Sequence, residues 1–174
     1  MTRLRIGISS CLLGDEVRFD GGHKRDGGLI DAFGPHVEWV RVCPEIELGL
    51  GVPREPIQLV SEAGAIRMVG VDTRIDHTDA MRDYATRRVR ELAQADLAGY
   101  VLKAKSPSCG LRDVRVAMDD RRDVPGATGM GLFAAVLREM LPDLPAEDEV
   151  RLVDAAVRES FLERALAYDR LHRP

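Results

Sequence analysis

Short apolar runs alternate with polar segments punctuated by glycine and proline along this chain, and two hydrophobic periods can be read in it. Residues 4–8, 37–42 and 99–103 are compact runs rich in branched apolar side chains, which predicts strands. A short helix is expected near 24–33, stopped by Gly34-Pro35. Residues 43–56 carry so many glycines and prolines that they read as a loop. Residues 57–60 and 65–69 alternate like a hairpin around Ser61-Glu62-Ala63-Gly64. The helical period is clearest over about 77–96, where Met81, Tyr84, Ala85, Val89, Leu92 and Ala93 form one stripe. Arg82, Arg87, Arg88 and Arg90 lie mostly off that stripe, as solvated charges. Residues 114–118 read as another short strand, Gly129-Met130-Gly131 opens an apolar helix to about 140, and 147–168 form a last amphipathic helix. Alternating strands and helices predict an α/β fold, a three-layer Rossmann-like sandwich with a mainly parallel sheet.

Each of the three cysteines, Cys11, Cys43 and Cys109, follows one of these strand-like runs and opens a tight polar or Gly/Pro-containing segment. In an open parallel sheet the carboxyl ends of the strands line one crevice, so distant residues can converge there. Three thiolates in one crevice point to a metal or iron–sulfur site with an open coordination position. Taken singly, a free cysteine is as readily a small buried hydrophobe. Burial tendency alone does not explain why all three share the strand-end position. The odd count argues against a disulfide framework, and an N-terminus that runs straight into a strand argues against a signal peptide. A cytoplasmic protein with reduced thiols is therefore expected.

Composition narrows the partners. With 174 residues and 45% hydrophobic content, the chain is enough for one well-packed domain. No run approaches the roughly 20 apolar residues of a membrane helix. A formal net charge of −4 argues against nonspecific coating of nucleic acid, and no DNA partner is expected. His23-Lys24-Arg25 and Lys103 with Lys105 leave room for a local basic patch, although short charge clusters are more often solvated faces. Gly-Met-Gly at 129–131 lacks the spacing of a dinucleotide fingerprint, and Lys-Ser-Pro-Ser-Cys-Gly at 105–110 is not a phosphate-binding P-loop. Close helix–sheet packing is the plainer use of those glycines. An anion at the helix N-terminus remains an open reading.

Four segments together resemble the thiouracil desulfurase family. They are Ile-Gly-Ile-Ser-Ser-Cys-Leu-Leu-Gly (6–14), Val-Arg-Phe-Asp-Gly-Gly-His-Lys (17–24), Val-Cys-Pro-Glu-Ile-Glu-Leu-Gly-Leu-Gly-Val-Pro-Arg-Glu-Pro-Ile (42–57) and Leu-Lys-Ala-Lys-Ser-Pro-Ser-Cys-Gly (102–110). The resemblance spans most of residues 5–140 and includes all three cysteines. It implies a [4Fe-4S] cluster held by Cys11, Cys43 and Cys109, and removal of sulfur from a thiolated uracil as sulfide. The partner it implies is a thiolated pyrimidine small molecule, or the same base as 4-thiouridine in tRNA. It also supports Glu45 as general acid/base and Ser106 as a catalytic serine that positions the base or relays a proton. Without the resemblance, Glu45 reads as a carboxylate at a helix N-terminus and Ser106 as a loop-capping hydroxyl.

Ser9 and Ser10 are candidate donors to cluster sulfurs, or simply satisfy backbone at a strand end. His23, Lys24 and Lys105 are the candidate substrate-binding residues, with His23 an alternative zinc ligand and Arg54 and Glu55 either part of a closing loop or paired with each other. Residues 144–164 resemble the tail that, in longer relatives, joins this domain to a second helical domain. The expected organisation is a desulfidase domain at 1–145 followed by a C-terminal helical extension at 146–174, with that second domain absent. Three other classes stay open at this point: a structural zinc protein, a thiol redox enzyme needing one exposed low-pKa cysteine, and a cluster-binding sensor without catalysis.

Overall fold

The computed structural model describes residues 3–118 and 127–173. In chain order its elements are β1 (Leu4–Ser9), α1 (Gly27–Phe33), β2 (Val37–Val42), α2 (Pro44–Leu48), β3 (Ile57–Glu62), β4 (Ala65–Gly70), α3 (Thr78–Ala93), β5 (Gly99–Leu102), β6 (Val114–Met118), β7 (Thr128–Gly129), α4 (Leu132–Met140), β8 (Ala146–Asp148) and α5 (Ala155–His172). Single 3-10 turns occupy Ser10–Leu13, Gly34–His36 and Arg151–Val153.

Four strands form one sheet in the order β2-β1-β5-β8, and every pairing in it is parallel. The period of two sends alternate side chains to opposite faces. Leu4, Ile6 and Ile8 of β1 pack with Leu29 and Phe33 of α1 and with Phe161 and Ala165 of α5. On the other face, Val42, Tyr100 and Leu102 meet Met81, Tyr84, Val89 and Leu92 of α3 and Phe133 and Leu137 of α4. Helices therefore cover both faces, which is the three-layer α/β arrangement. Each large side chain fully withdrawn from water contributes about 1.5–3 kcal/mol. Gly7 of β1 sits opposite Tyr100 of β5. A Cβ there would stand 2.4 Å from the Tyr100 ring, so glycine is what lets the fully buried tyrosine lie across β1.

Several elements depart from expectation. A second sheet, in the order β4-β3-β6-β7, is mixed: β3 pairs antiparallel with β4 and parallel with β6, and β6 pairs antiparallel with β7. The expected hairpin is present with longer strands, because its turn shrinks to Ala63-Gly64, both with positive φ. That matches the right-handed strand twist. Residues expected as a loop after Cys43 contain α2, which opens with proline in its first turn and two glutamates, and ends at Gly49 with φ of 99°. The helix expected over 24–33 begins only at Gly27, because the Asp26 side chain accepts from Leu29 N–H at 2.9 Å and caps it.

The helix expected over 147–168 is corrected most. Residues 146–148 are strand β8, hydrogen-bonded to β5, and α5 starts at Ala155 under the cap of Asp154. The segment expected as a helical extension thus supplies both an edge strand of the parallel sheet and a helix of its core. The apolar stripe of α3 is buried as expected, apart from Ala93, which is exposed. Arg88 is not simply solvated; it pairs with Glu47 of α2 at 3.3 Å and Glu91 at 3.0 Å. Among the described residues no helix is long and apolar enough to cross a membrane.

The Tyr100 hydroxyl is buried without a hydrogen-bond partner among the described residues. An unpaired buried hydroxyl costs about 1–3 kcal/mol. Tyr100→Phe is therefore expected to leave stability unchanged or raise it by up to about that amount, measured by urea unfolding; a clear loss would mean the hydroxyl is bonded in the folded protein.

Candidate active site

Parallel pairing brings the carboxyl ends of β1, β2, β5 and β8 to one edge. Past β1, the 3-10 turn Ser10–Leu13 carries Cys11, whose carbonyl accepts from Gly14 N–H at 3.2 Å and Lys24 N–H at 2.9 Å. Past β2, Cys43 is the residue before α2, and its carbonyl accepts from Glu47 N–H at 2.9 Å. Past β5, Cys109 lies in a tight loop. The Ser106 hydroxyl oxygen accepts from the N–H groups of Ser108 at 3.2 Å and Cys109 at 3.0 Å.

That loop is seated on the start of α4. Leu132 N–H donates to Pro107 O at 3.0 Å and Ala134 N–H to Ser108 O at 3.1 Å. These are helix-terminal donors that have no partner within the helix. The loop uses them, which removes the anion-binding reading of Gly-Met-Gly. A Cβ on Gly131 would stand 2.5 Å from the carbonyl of Ser108, so glycine there serves close packing.

All three cysteines line one cavity of about 320 Å³, together with Ser9, Ser10, Lys24, Glu45, Lys105 and Ser106 among the expected residues. His23 does not line it. That side chain is exposed, and its Nδ1 accepts from Arg25 N–H at 3.1 Å. Lys24 and Lys105 are exposed at the cavity's rim, the latter in left-handed backbone with φ of 61°. The Ser9 hydroxyl accepts from Lys103 N–H at 2.9 Å and donates to the Cys109 sulfur, tying β1 to the chain leaving β5.

Burial dominates the electrostatics of the thiols. It pushes Cys11 up to about 11, with Lys103 the strongest opposing charge, and raises Cys43 and Cys109 as well. Cys11 and Cys109 each also interact with Cys43, so the three thiols lie within electrostatic reach of one another. Among the described residues no three Cys, His, Asp or Glu side chains are grouped closely enough to bind one metal ion.

Glu45 projects from the first turn of α2 into this space. Its Oε2 accepts from Arg54 Nε at 2.9 Å and Nη2 at 2.6 Å, and its Oε1 accepts from the Ser108 hydroxyl at 2.7 Å. Arg54 therefore pairs with Glu45 and not with Glu55, whose carboxylate instead accepts from the N–H groups of Asp72 at 2.7 Å and Thr73 at 3.0 Å.

Sequence reasoning missed four contributors. Ser108 lies in the same 102–110 motif as Ser106, and nothing in the sequence distinguishes its role. Phe19 is the one aromatic ring among the described cavity-lining residues, with the Arg18 guanidinium 5.7 Å from its centroid. Lys103, a basic-patch residue on sequence grounds, pairs through its ammonium with Glu149 beyond β8, whose other oxygen accepts from Ala104 N–H at 2.7 Å. Glu149 gave no signal, because only the sheet topology brings it near.

The family model described as 2-thiouracil desulfurase matches residues 6–149. The uncharacterized protein YbbK of Bacillus subtilis (strain 168) is 27% identical over 153 residues, covering 83% of this chain and 97% of its own length. The solved structure of a [4Fe-4S]-dependent thiouracil desulfidase, TudS, superposes with a TM-score of 0.67 at 29% identity, over 91% of this chain and 99% of that one.

Gly131→Ala tests how the Cys109 loop is held. The added methyl must displace the Ser108 carbonyl, and overpacking of this kind costs typically about 1–3 kcal/mol. The variant should lose stability in urea unfolding and expose Cys109, now 5% accessible, to faster maleimide labelling. Unchanged stability and labelling would show that the loop does not depend on this seat.

Proposed function

Because the chain belongs to the 2-thiouracil desulfurase family, we propose that it removes sulfur from thiolated uracil bases by non-redox hydrolysis, releasing sulfide, with a [4Fe-4S] cluster held by Cys11, Cys43 and Cys109. The observation that carries the reading is the lining of one cavity by all three thiols together with Glu45. Soft thiolates are the donors iron–sulfur clusters take, and all three of the chain's cysteines line this one cavity. The raised thiols speak against an activated redox cysteine, whereas a metal removes the thiol proton outright. Held by Cys11, Cys43 and Cys109 alone, such a cluster would supply Lewis-acid chemistry toward the substrate's sulfur.

The chain's own groups supply the rest. Water must add to the thiocarbonyl carbon, the carbon–sulfur bond must break, and the two water protons must leave with sulfide, giving a carbonyl oxygen on the base. Glu45 Oε1 takes a proton from water and returns one during departure of sulfur; its single hydrogen bond from Ser108 leaves a lone pair for that transfer. The Ser106 hydroxyl accepts two backbone N–H groups, which leaves its own O–H free to donate into the cavity. Phe19 offers an apolar ring for a planar pyrimidine. Ser9 donates to the Cys109 sulfur, and Lys103 and Arg18 offset negative charge at Cys11. A free base or nucleoside is the substrate we favour over tRNA, since the net charge of −4 attracts a polyanion weakly. The reading puts the protein in the cytoplasm, where thiols stay reduced.

Anaerobically reconstituted protein with thiouracil tests this. Cys→Ser at 11, 43 or 109 should each lose bound iron. Glu45→Gln should retain iron and slow sulfide release on the order of 100-fold or more. Undiminished turnover in Glu45→Gln at matched iron content would return Glu45 to a structural role, and full iron retention in a cysteine variant would remove that residue from the ligand set.

A further inference from the structure

Arg54 is the most heavily engaged side chain of the site. Its side chain is 7% exposed, and all three guanidinium nitrogens are committed. Nε and Nη2 donate to Glu45 Oε2, Nη1 donates to Gly51 O at 2.8 Å, and Nη2 also reaches Val17 O at 2.9 Å. Its backbone N–H donates to Phe19 O at 2.9 Å. One residue thus ties together the carboxylate on α2, the turn that ends α2, and the segment 17–19 that forms the cavity's aromatic wall.

The division of Glu45's oxygens follows. Arg54 occupies Oε2 with two donors, while Oε1 receives only the Ser108 hydroxyl. Rotation of the carboxylate would break both arrangements at once. A fixed carboxylate matters because proton transfer needs hydrogen-bond contact, and a misplacement of about 1 Å can cost about 100-fold in rate. Lysine could not substitute: its single nitrogen cannot span Glu45, Gly51 and Val17 in the guanidinium's planar fork.

We propose that Arg54 is a positioning residue that fixes Glu45 with Oε1 toward the substrate and locks it in register with the Val17–Phe19 wall. This rests on the reading of Glu45 as the general acid/base. Arg54 then touches two kinetic quantities by two routes: turnover through Glu45, and substrate binding through the loop that carries Phe19.

The test is a double-mutant cycle on the anaerobic, iron-loaded protein with thiouracil, using Arg54→Met, Arg54→Lys, Glu45→Gln and the Arg54→Met/Glu45→Gln pair at matched iron content. Amide exchange is followed in peptides covering 17–22 and 43–51. Arg54→Met should lower kcat about 100-fold, raise KM, and speed exchange in both peptides. In the Glu45→Gln background the same change should cost little further kcat, because its effect on chemistry passes through Glu45. Arg54→Lys should recover only part of kcat; should Arg54→Met lose iron, the lysine variant carries the comparison. Losses that multiply in the double variant, full recovery by lysine, or unaltered exchange in both peptides would overturn the proposal. An unimpaired Glu45→Gln single variant would instead defeat the acid/base reading on which it stands.

Discussion

Parallel pairing of β1 with both β2 and β5 is the constraint on which the site depends. It fixes three carboxyl ends at one edge, with β1 at the centre and the chain leaving for β2 on one side and β5 on the other. A crevice opens at such a switch point in open α/β sheets. Here it is spanned by one bond, from Lys103 N–H to the Ser9 hydroxyl, and the same hydroxyl reaches the Cys109 sulfur. Gly7 sets how closely the two strands' side chains stack, because any larger residue would meet the Tyr100 ring. Sulfur geometry is thus a consequence of sheet geometry, delivered through short turns that leave little slack.

The Cys109 loop needs more support than the other two, because it travels furthest from its strand. It is clamped at both ends to the chain around β8. Lys103, where the loop begins, pairs with Glu149, and Arg112, where it ends, pairs with Glu147 at 2.6 Å and with Asp148. Those three consecutive carboxylates are all buried, which is tolerable only because cations and N–H groups meet them. From below, α4 gives the loop its N-terminal N–H groups. The edge strand β8 and the Glu149 that follows it are therefore part of the machinery that holds the site.

Much of this was legible in the sequence, and the exceptions have physical causes. The strand runs before Cys11, Cys43 and Cys109, the α3 stripe and the hairpin are local patterns, and they emerged close to where the periods put them. The short α2 was hidden because its proline and glycine signals serve equally for a loop, and five residues carry no measurable period. Strand β8 was hidden by its acidic residues, which read as a solvated helix until Arg112 and Lys103 neutralise them. A sheet splits in two according to which strands pair, and nothing in the run at 114–118 names β3 as its partner. At the site, residue types next to the cysteines could be picked out. Partners across the fold, such as Arg54 for Glu45 and Glu149 for Lys103, required coordinates. His23 shows the converse: a reactive residue type in a promising motif, turned into its own loop.

In the proposed reaction a cysteine-held cluster and a fixed carboxylate together support hydrolysis without net electron transfer. The most direct measurement is anaerobic turnover of thiouracil in ¹⁸O-labelled water with no reductant present, following uracil by mass spectrometry and sulfide by titration. Non-redox hydrolysis should place one labelled oxygen in each uracil formed and release one sulfide per uracil, over many turnovers. A strict requirement for added reductant, or unlabelled uracil, would contradict it.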